Sequence, residues 1–289
     1  MGRGIASRLL RAGRPLLVFD LDAAACRTLQ DEGAQVAASA VDVARQAEVV
    51  FLCLPSVAAQ QQVAEAIARA SQELAVRTVV DCSTVGPEAV RRLQRDLRPR
   101  GIGVVDAPVS GGARGAQAGT LSIMCAGPQH ALDAAMPLLR AISDVIFDLG
   151  SEPGAAQLCK LANNAVSAAG MVAACEAMVL GVKAGLPADT LLAAINAGSG
   201  RNVATEQKLP RHVLTGSFDF GGPIGLMLKD LQLYLEQASA LGVPGTMTAA
   251  TLEAWQRAVD RTGHAADYTQ LIQPMEQDAG VLVRNPAQA

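Results

Sequence analysis

Lys160 and Asn164 stand four residues apart near the start of an apolar run, Gly154 to Gly185, GAAQLCKLANNAVSAAGMVAACEAMVLGVKAG. That spacing puts both side chains on one face of a helix. The run contains no proline and ends at Gly185-Leu186-Pro187, a helix stop. Wholly helical, it would be about 45 Å long. Apolar residues lie all round it, so most of its length is expected to be buried in protein. Lys160, Asn163, Asn164 and Glu176 interrupt it too often for a membrane span. A lysine near the start of a buried helix is opposed by the helix dipole and by desolvation. Either chemistry that needs an amine keeps it there, or the side chain snorkels to solvent.

The elements that must position these residues fall into two halves. Up to about residue 150, helical patterns alternate with short β-branched runs: Leu16–Asp20, Gln35–Ala37, Val49–Pro55, Thr78–Thr84, Gly103–Pro108, Thr120–Ala126 and Val145–Leu149. Val49-Val50-Phe51-Leu52-Cys53-Leu54-Pro55 is uniformly apolar, as suits a strand buried on both faces. Strands separated by helices predict a parallel, doubly wound α/β sheet, with ligands bound beyond the carboxyl ends of the strands. Asp20, Leu54-Pro55 and Ser83-Thr84 occupy those ends. Beyond Gly185 only helical patterns follow, at Ala188–Asn196, Val203–Leu214, Pro223–Leu241, Gly245–Thr262 and Tyr268–Glu276, and Val281–Ala289 reads as a loose tail. The expected domains are 1–151 and an all-α domain, 152–289, built on the long helix.

Composition narrows the function. Half of the 289 residues are apolar and the formal net charge is −3, with no basic footprint for nucleic acid. Cys26, Cys53, Cys82, Cys125, Cys159 and Cys175 are widely spaced, without CxxC or Cys/His clusters, which speaks against a metal site and for reduced core thiols in a cytoplasmic protein. No signal peptide is expected from the pattern of the residues given. His130, His212 and His264 are expected at the surface. Trp255 and the methionines are expected in the core or an interface.

The N-terminus is unusual. Gly2 directly precedes a helix, as the last glycine of GxGxxG would, and Asp20 closes the next strand, about where that fingerprint's ribose-binding acid falls. No strand and no earlier glycines precede Gly2.

Taken together, these features resemble the β-hydroxyacid dehydrogenase family. Asp106-Ala107-Pro108-Val109-Ser110-Gly111-Gly112, with Ala116, Gly119 and Thr120-Leu121, is similar to its substrate signature DxPVSGGxxxAxxGTL. Gly154…Lys160…Asn164 resembles its catalytic GxGxxxKxxxN, with Ala156 at the second glycine. Asp81-Cys82-Ser83-Thr84-Val85-Gly86-Pro87 is similar to its DxSTxxP loop, and Leu228-Lys229-Asp230-Leu231 to its KDL. The resemblance implies a Rossmann-like sheet lacking its first strand, a central one in the 3-2-1-4-5-6 order, so that two neighbours lose ladder partners. From this the start is read as an internal methionine of a longer natural protein.

By resemblance, the reaction is oxidation of a small β-hydroxy acid to its semialdehyde or keto acid, or the reverse. Lys160 is the general acid/base, its pKa lowered by burial and the helix dipole, and Asn164 orients it. Ser110, Gly111 and Gly112 receive the carboxylate, with Asp230 on the far wall. Gly2, Asp20, Leu54, Pro55, Ser83, Thr84 and Lys229 face the cofactor, which is NAD rather than NADP because Asp20 repels a 2′-phosphate. Gly222 stands where the family often carries an aromatic residue, which predicts a roomier pocket unless Phe220 fills it. A homodimer or homotetramer through the helical domain is implied, with no nucleic-acid or membrane partner. The competing readings are an impaired or non-enzymatic scaffold, because a central strand is absent, and imine reduction or oxidative decarboxylation on the same fold. Lys160 and the modest helical domain argue against the last two.

Overall fold

The structure, a computed structural model, describes residues 1–284. The chain divides into two compact units, Met1–Lys160 and Leu161–Ala289.

The first unit carries strands β1 (Leu17–Val18), β2 (Gln35–Val36), β3 (Val49–Leu52), β4 (Thr78–Asp81), β5 (Gly103–Asp106), β6 (Val109–Ser110), β7 (Ser122–Cys125) and β8 (Val145–Asp148). Between and before them lie α1 (Gly2–Arg11), α2 (Ala23–Asp31), α3 (Ala40–Gln46), α4 (Val57–Ala68), α5 (Pro87–Leu97), α6 (Gly112–Ala118) and α7 (Gln129–Ile142). The helices start where side chains cap them. Asp22, Ser39 and Ser56 accept the amides of Ala24, Asp42 and Ala59, and Pro87 opens α5, where its missing N–H costs nothing. Every residue of β4 and β5 is buried, which is why both read as continuous apolar runs closed by an aspartate.

The sheet is in three pieces. β1 pairs only with β2, and β3-β4-β5 form a separate parallel sheet. Among the described residues β1 and β3 thus each have one ladder partner. The expected parallel arrangement is departed from at β6. Pro108 interrupts the run after β5, the chain turns, and β6 pairs antiparallel with β7 in the register Ser110↔Ser122. β7 and β8 are parallel, and an Asp106↔Ala126 bridge joins the second piece to the third.

The long helix, α8 (Ala155–Lys183), starts in the first unit and supplies the second with its central element. By length and composition it could cross a membrane, but half of its apolar window is buried in the protein. The second unit continues with α9 (Ala188–Ala197), a π-helix (Ala204–Val213), α10 (Ile224–Ala240), α11 (Thr246–Thr262), a 3-10 turn (Tyr268–Ile272) and α12 (Gln273–Ala279). The π-helix replaces an expected α-helix and contains Pro210. Proline donates no N–H and crowds the carbonyl four residues back; the wider turn relieves the crowding, and the carbonyl of Thr205, five residues back, accepts Asn196 Nδ2 at 3.0 Å instead.

Two expectations fail here for local reasons. His212 is buried, not at the surface: its Nδ1 lies 2.6 Å from Asp219 Oδ1, and its ring meets Phe220 edge-on at 5.7 Å. The tail is anchored as far as Arg284. Val283 is buried and donates its amide to Glu276 (2.8 Å), and Arg284 pairs with the same carboxylate at 2.8 Å. The rest of that expected tail, 285–289, lies outside the described residues.

Trp255 closes the helical core as expected, fully buried, with its ring 4.6 Å from that of Tyr268 and its Nε1–H donated to Ala168 O. Trp255→Ala should destabilise the protein by about 3–5 kcal/mol through the cavity and the lost ring contact. Denaturant unfolding followed by helical circular dichroism checks this, and an unchanged midpoint would refute it.

Candidate active site

The site is built from the start of α8. Asp106, the last residue of β5, is fully buried. Its Oδ2 accepts the backbone amides of Gly154 (2.9 Å) and Gln157 (3.0 Å), and its Oδ1 accepts Gln157 Nε2 at 2.7 Å. Amides in the first turn of a helix have no partner within the helix, and a carboxylate there also complements the dipole. Gln157 extends the clamp. Its Oε1 accepts the amides of Val85 (2.9 Å) and Gly86 (3.0 Å), and its Nε2 also donates to Ser83 O at 3.0 Å. One buried carboxylate and one buried amide therefore fix the start of the lysine helix to the Ser83–Gly86 loop.

Burial pushes Asp106 up to about 6, against the lowering effect of its Gln157 and Gly154 hydrogen bonds, and neighbouring Asp81 adds to the rise. Asp81 is raised as well, again by burial. It accepts the Ser83 amide at 2.9 Å and the Gln60 side-chain amide. Lys160 follows Gln157 by three residues and retains 8% exposure.

Four residues after Asp106 comes Ser110, half-buried at the end of β6, then Gly111 (φ +128°) and Gly112 (φ +66°). Gly111 is required twice over, by its φ and because a Cβ would come within 3.2 Å of Leu121. The resulting turn exposes backbone beside the serine hydroxyl, the combination that receives a carboxylate. The clamp on the lysine helix and the glycine turn thus stand at the ends of two successive strands, β5 and β6.

In the second unit, Asn164 Nδ2 donates to Asp230 Oδ2 at 2.7 Å, and Lys229 Nζ lies 2.9 Å from Asp230 Oδ1. Asp230 and Asn164 are both 7% exposed. The geometry makes Asp230 the group that orients Asn164, with Lys229 as its counter-ion.

For a dinucleotide, α1 presents its N-terminus at the carboxyl end of β3. A Cβ on Gly2 would stand 3.1 Å from the Cβ of Cys53, so glycine lets the helix approach that strand end. Unpaired first-turn amides and the dipole of a ten-residue helix suit a pyrophosphate. Leu54 donates its amide to Ser83 Oγ at 2.9 Å, so Leu54-Pro55 and Ser83-Thr84 form one rim at the ends of adjacent strands. Asp20 is exposed just past β1 and accepts the Asp22 amide (2.9 Å). It belongs to the separate two-stranded sheet, so Asp20 and that rim stand on different frameworks. These residues fit a nicotinamide dinucleotide: the N-terminus of α1 would hold its phosphates and Asp20 a ribose.

The chain belongs with known oxidoreductases along its whole length. Residues 1–150 match the NAD-binding domain of 6-phosphogluconate dehydrogenase, and residues 154–275 match the NAD-binding domain of NADP-dependent 3-hydroxyisobutyrate dehydrogenase. It is 33% identical over 284 residues to 2-(hydroxymethyl)glutarate dehydrogenase of Eubacterium barkeri, covering 98% of this chain and 94% of that one. It is 38% identical over 265 residues to the NAD-dependent L-serine dehydrogenase of Pseudomonas aeruginosa, covering 87% of each. The crystal structure of 3-hydroxyisobutyrate dehydrogenase from Salmonella typhimurium superposes with a TM-score of 0.85 at 27% identity, covering 94% of this chain and 95% of that one. With the lysine helix, the glycine-flanked serine and NAD(P)-binding domains in place, the chain is a member of the β-hydroxyacid dehydrogenase family, an oxidoreductase acting on CH–OH groups.

Proposed function

We propose that this protein interconverts a short β-hydroxy acid and its semialdehyde or keto acid, using NAD in preference to NADP. The observation that carries the reading is the clamped start of α8, which holds Lys160 buried three residues beyond Gln157. When bound, the nicotinamide supplies the hydride chemistry. The amine of Lys160 takes the hydroxyl proton in oxidation and returns it in reduction. Asn164, turned by Asp230, orients the reacting oxygen. Ser110 and the amides of Gly111 and Gly112 hold the carboxylate. Asp20, at the end of β1 with Leu21 and Asp22 beside it, favours free ribose hydroxyls over a 2′-phosphate. The descriptions of similar proteins are divided on this point: the P. aeruginosa relative is named NAD-dependent, whereas the matched helical-domain family is named for an NADP-dependent enzyme.

The test is reduction of NAD+ and of NADP+ over a panel of hydroxyisobutyrate, glycerate, threonate, serine and 2-(hydroxymethyl)glutarate. At least one acid should give turnover, with the larger kcat/KM for NAD+. No turnover with any acid would refute the activity, and a preference for NADP+ would refute the role of Asp20.

Titration of NADH fluorescence against the 289-residue chain should show saturable binding, and no binding would count against the proposed cofactor site. Pairing of two copies through the helical unit is a further proposal, supported by Val166 and Leu180, apolar but largely exposed on α8. Sedimentation of a monomer would count against it.

A further inference from the structure

Two of the six cysteines stand at neighbouring strand ends of the first unit. β3 and β4 are parallel with Leu52 opposite Asp81, and Cys53 and Cys82 are the next residues on the two strands. The ladder continues past that last pair, because the Cys82 amide donates to Leu52 O at 2.8 Å. In-register residues on adjacent strands lie about 4.8 Å apart, inside the roughly 4.4–6.8 Å between α-carbons that a disulfide spans. Both side chains pack into one apolar cluster with Ile5 and Leu9 of α1, so both leave the sheet on the same face. Contact with the Cys53 sulfur, and then burial, pushes the Cys82 thiol well above its usual range. Among the described residues, no other two cysteines hold neighbouring positions on paired strands. The two thiols differ in access: Cys53 is half-buried, whereas Cys82 is buried. Cys53 Sγ faces the start of α1, where a Cβ on Gly2 would stand 3.8 Å from it. Leu54 and Ser83, which follow the two cysteines, are joined by the hydrogen bond of the rim described above.

We propose that Cys53 and Cys82 are a modification site at which a hydroperoxide forms a reversible disulfide, and that a bound dinucleotide protects it. The protection rests on the reading that the cofactor's phosphates lie at the N-terminus of α1, over Cys53. Only Cys53 has to be reached from outside. As thiolate it attacks one oxygen of hydrogen peroxide. The O–O bond breaks, an S–O bond forms, and the other oxygen leaves as hydroxide, which takes the proton that Cys53 lost. Cys82 then attacks the Cys53 sulfur, the S–O bond breaks, and the Cys82 proton departs with that oxygen as water. Two thiols are oxidised to one disulfide and one peroxide is reduced to two waters. Cys82 needs no access to solvent for this, since its partner is the neighbouring side chain.

The experiment treats the 289-residue chain with hydrogen peroxide, blocks the remaining thiols with iodoacetamide and maps the peptides without reduction by mass spectrometry. A linked Cys53–Cys82 peptide should appear, and dithiothreitol should release it. In Cys82→Ser, dimedone should capture Cys53 as its sulfenic acid, whereas in Cys53→Ser it should leave Cys82 unlabelled. Recovery of both residues as blocked thiols in the unaltered protein would overturn the proposal, as would Cys53 linked to any other cysteine. NADH at ~100 times its Kd should slow the linkage at least ~10-fold, since only about 1% of sites then stand empty. Unslowed linkage in protein that binds NADH saturably would refute the protection. Linkage in protein that binds no NADH would instead refute the cofactor reading and leave the thiol pair standing.

Discussion

Replacing Lys160 with alanine is expected to lower turnover at least ~10²-fold, the scale of a lost general acid/base, while leaving NADH affinity within a few-fold. The two effects separate because the cofactor rim is built on Leu54 and Ser83, whereas Lys160 sits on a helix whose start is held by other groups. Truncation removes a buried amine without touching the clamp formed by Asp106 and Gln157. The fold should therefore persist. Steady-state kinetics together with NADH titration checks this. Turnover within a factor of two of the parent would show that the proton moves through another group.

The second large effect is expected at Asp106, a positioning residue that acts on Lys160 through the backbone of α8. In Asp106→Asn one carboxylate oxygen becomes an NH2 group facing Gln157 Nε2, donor against donor. Rotating the Gln157 amide would relieve that clash only by setting its NH2 against the amides of Val85 and Gly86. Either way buried donors lose their acceptors, at about 1–3 kcal/mol each. Activity should fall by at least ~10-fold, accompanied by a lower thermal midpoint.

The pH dependence follows from the same group. Burial raises Asp106 to about 6, so the folded protein takes up this proton well above the usual carboxylate range. Its contribution to stability is fully present below the unfolded value near 3.8 and is lost as pH rises through about 6. Activity should run the opposite way. Protonation places a hydroxyl donor among amide donors and loosens the helix start, so kcat should decline as pH falls through about 6 while this group's contribution to stability grows. In Asp106→Asn that acidic limb should be absent. A parent profile flat down to pH 5 would refute the role.

The parts of this site that were legible in the sequence are those whose spacing along the chain is also their spacing in space. Lys160 and Asn164 share a helix face because they are four apart, and Ser110-Gly111-Gly112 is a contiguous turn. Gln157 gave no such signal. It is one polar residue in an apolar helix, and its partners lie 71 to 74 residues away on another loop. Asp106 stood inside a recognised motif, yet its task depends on amides 48 and 51 residues later. Lys208 and His212 fell in a stretch read as an ordinary amphipathic helix. The π turn around Pro210 changes which side chains face inward, which 3.6-residue periodicity cannot register. The antiparallel turn-back at β6 was missed because the run read as a strand ends at Pro108, and the two residues after it, Val109-Ser110, are too few to show a pattern of their own.

The two-residue β1–β2 ladder bears on how the protein would grip the adenosine half of a dinucleotide. Both β2 residues are exposed, and the pair adjoins no third strand, so few interactions oppose its fraying. Asp20 is tethered to this least protected piece, whereas the Leu54–Ser83 rim hangs from fully buried β4. With Asp20 at the ribose, as proposed, part of the affinity at the adenosine end would go into ordering the polypeptide, and discrimination at the ribose would be blunted by the same amount.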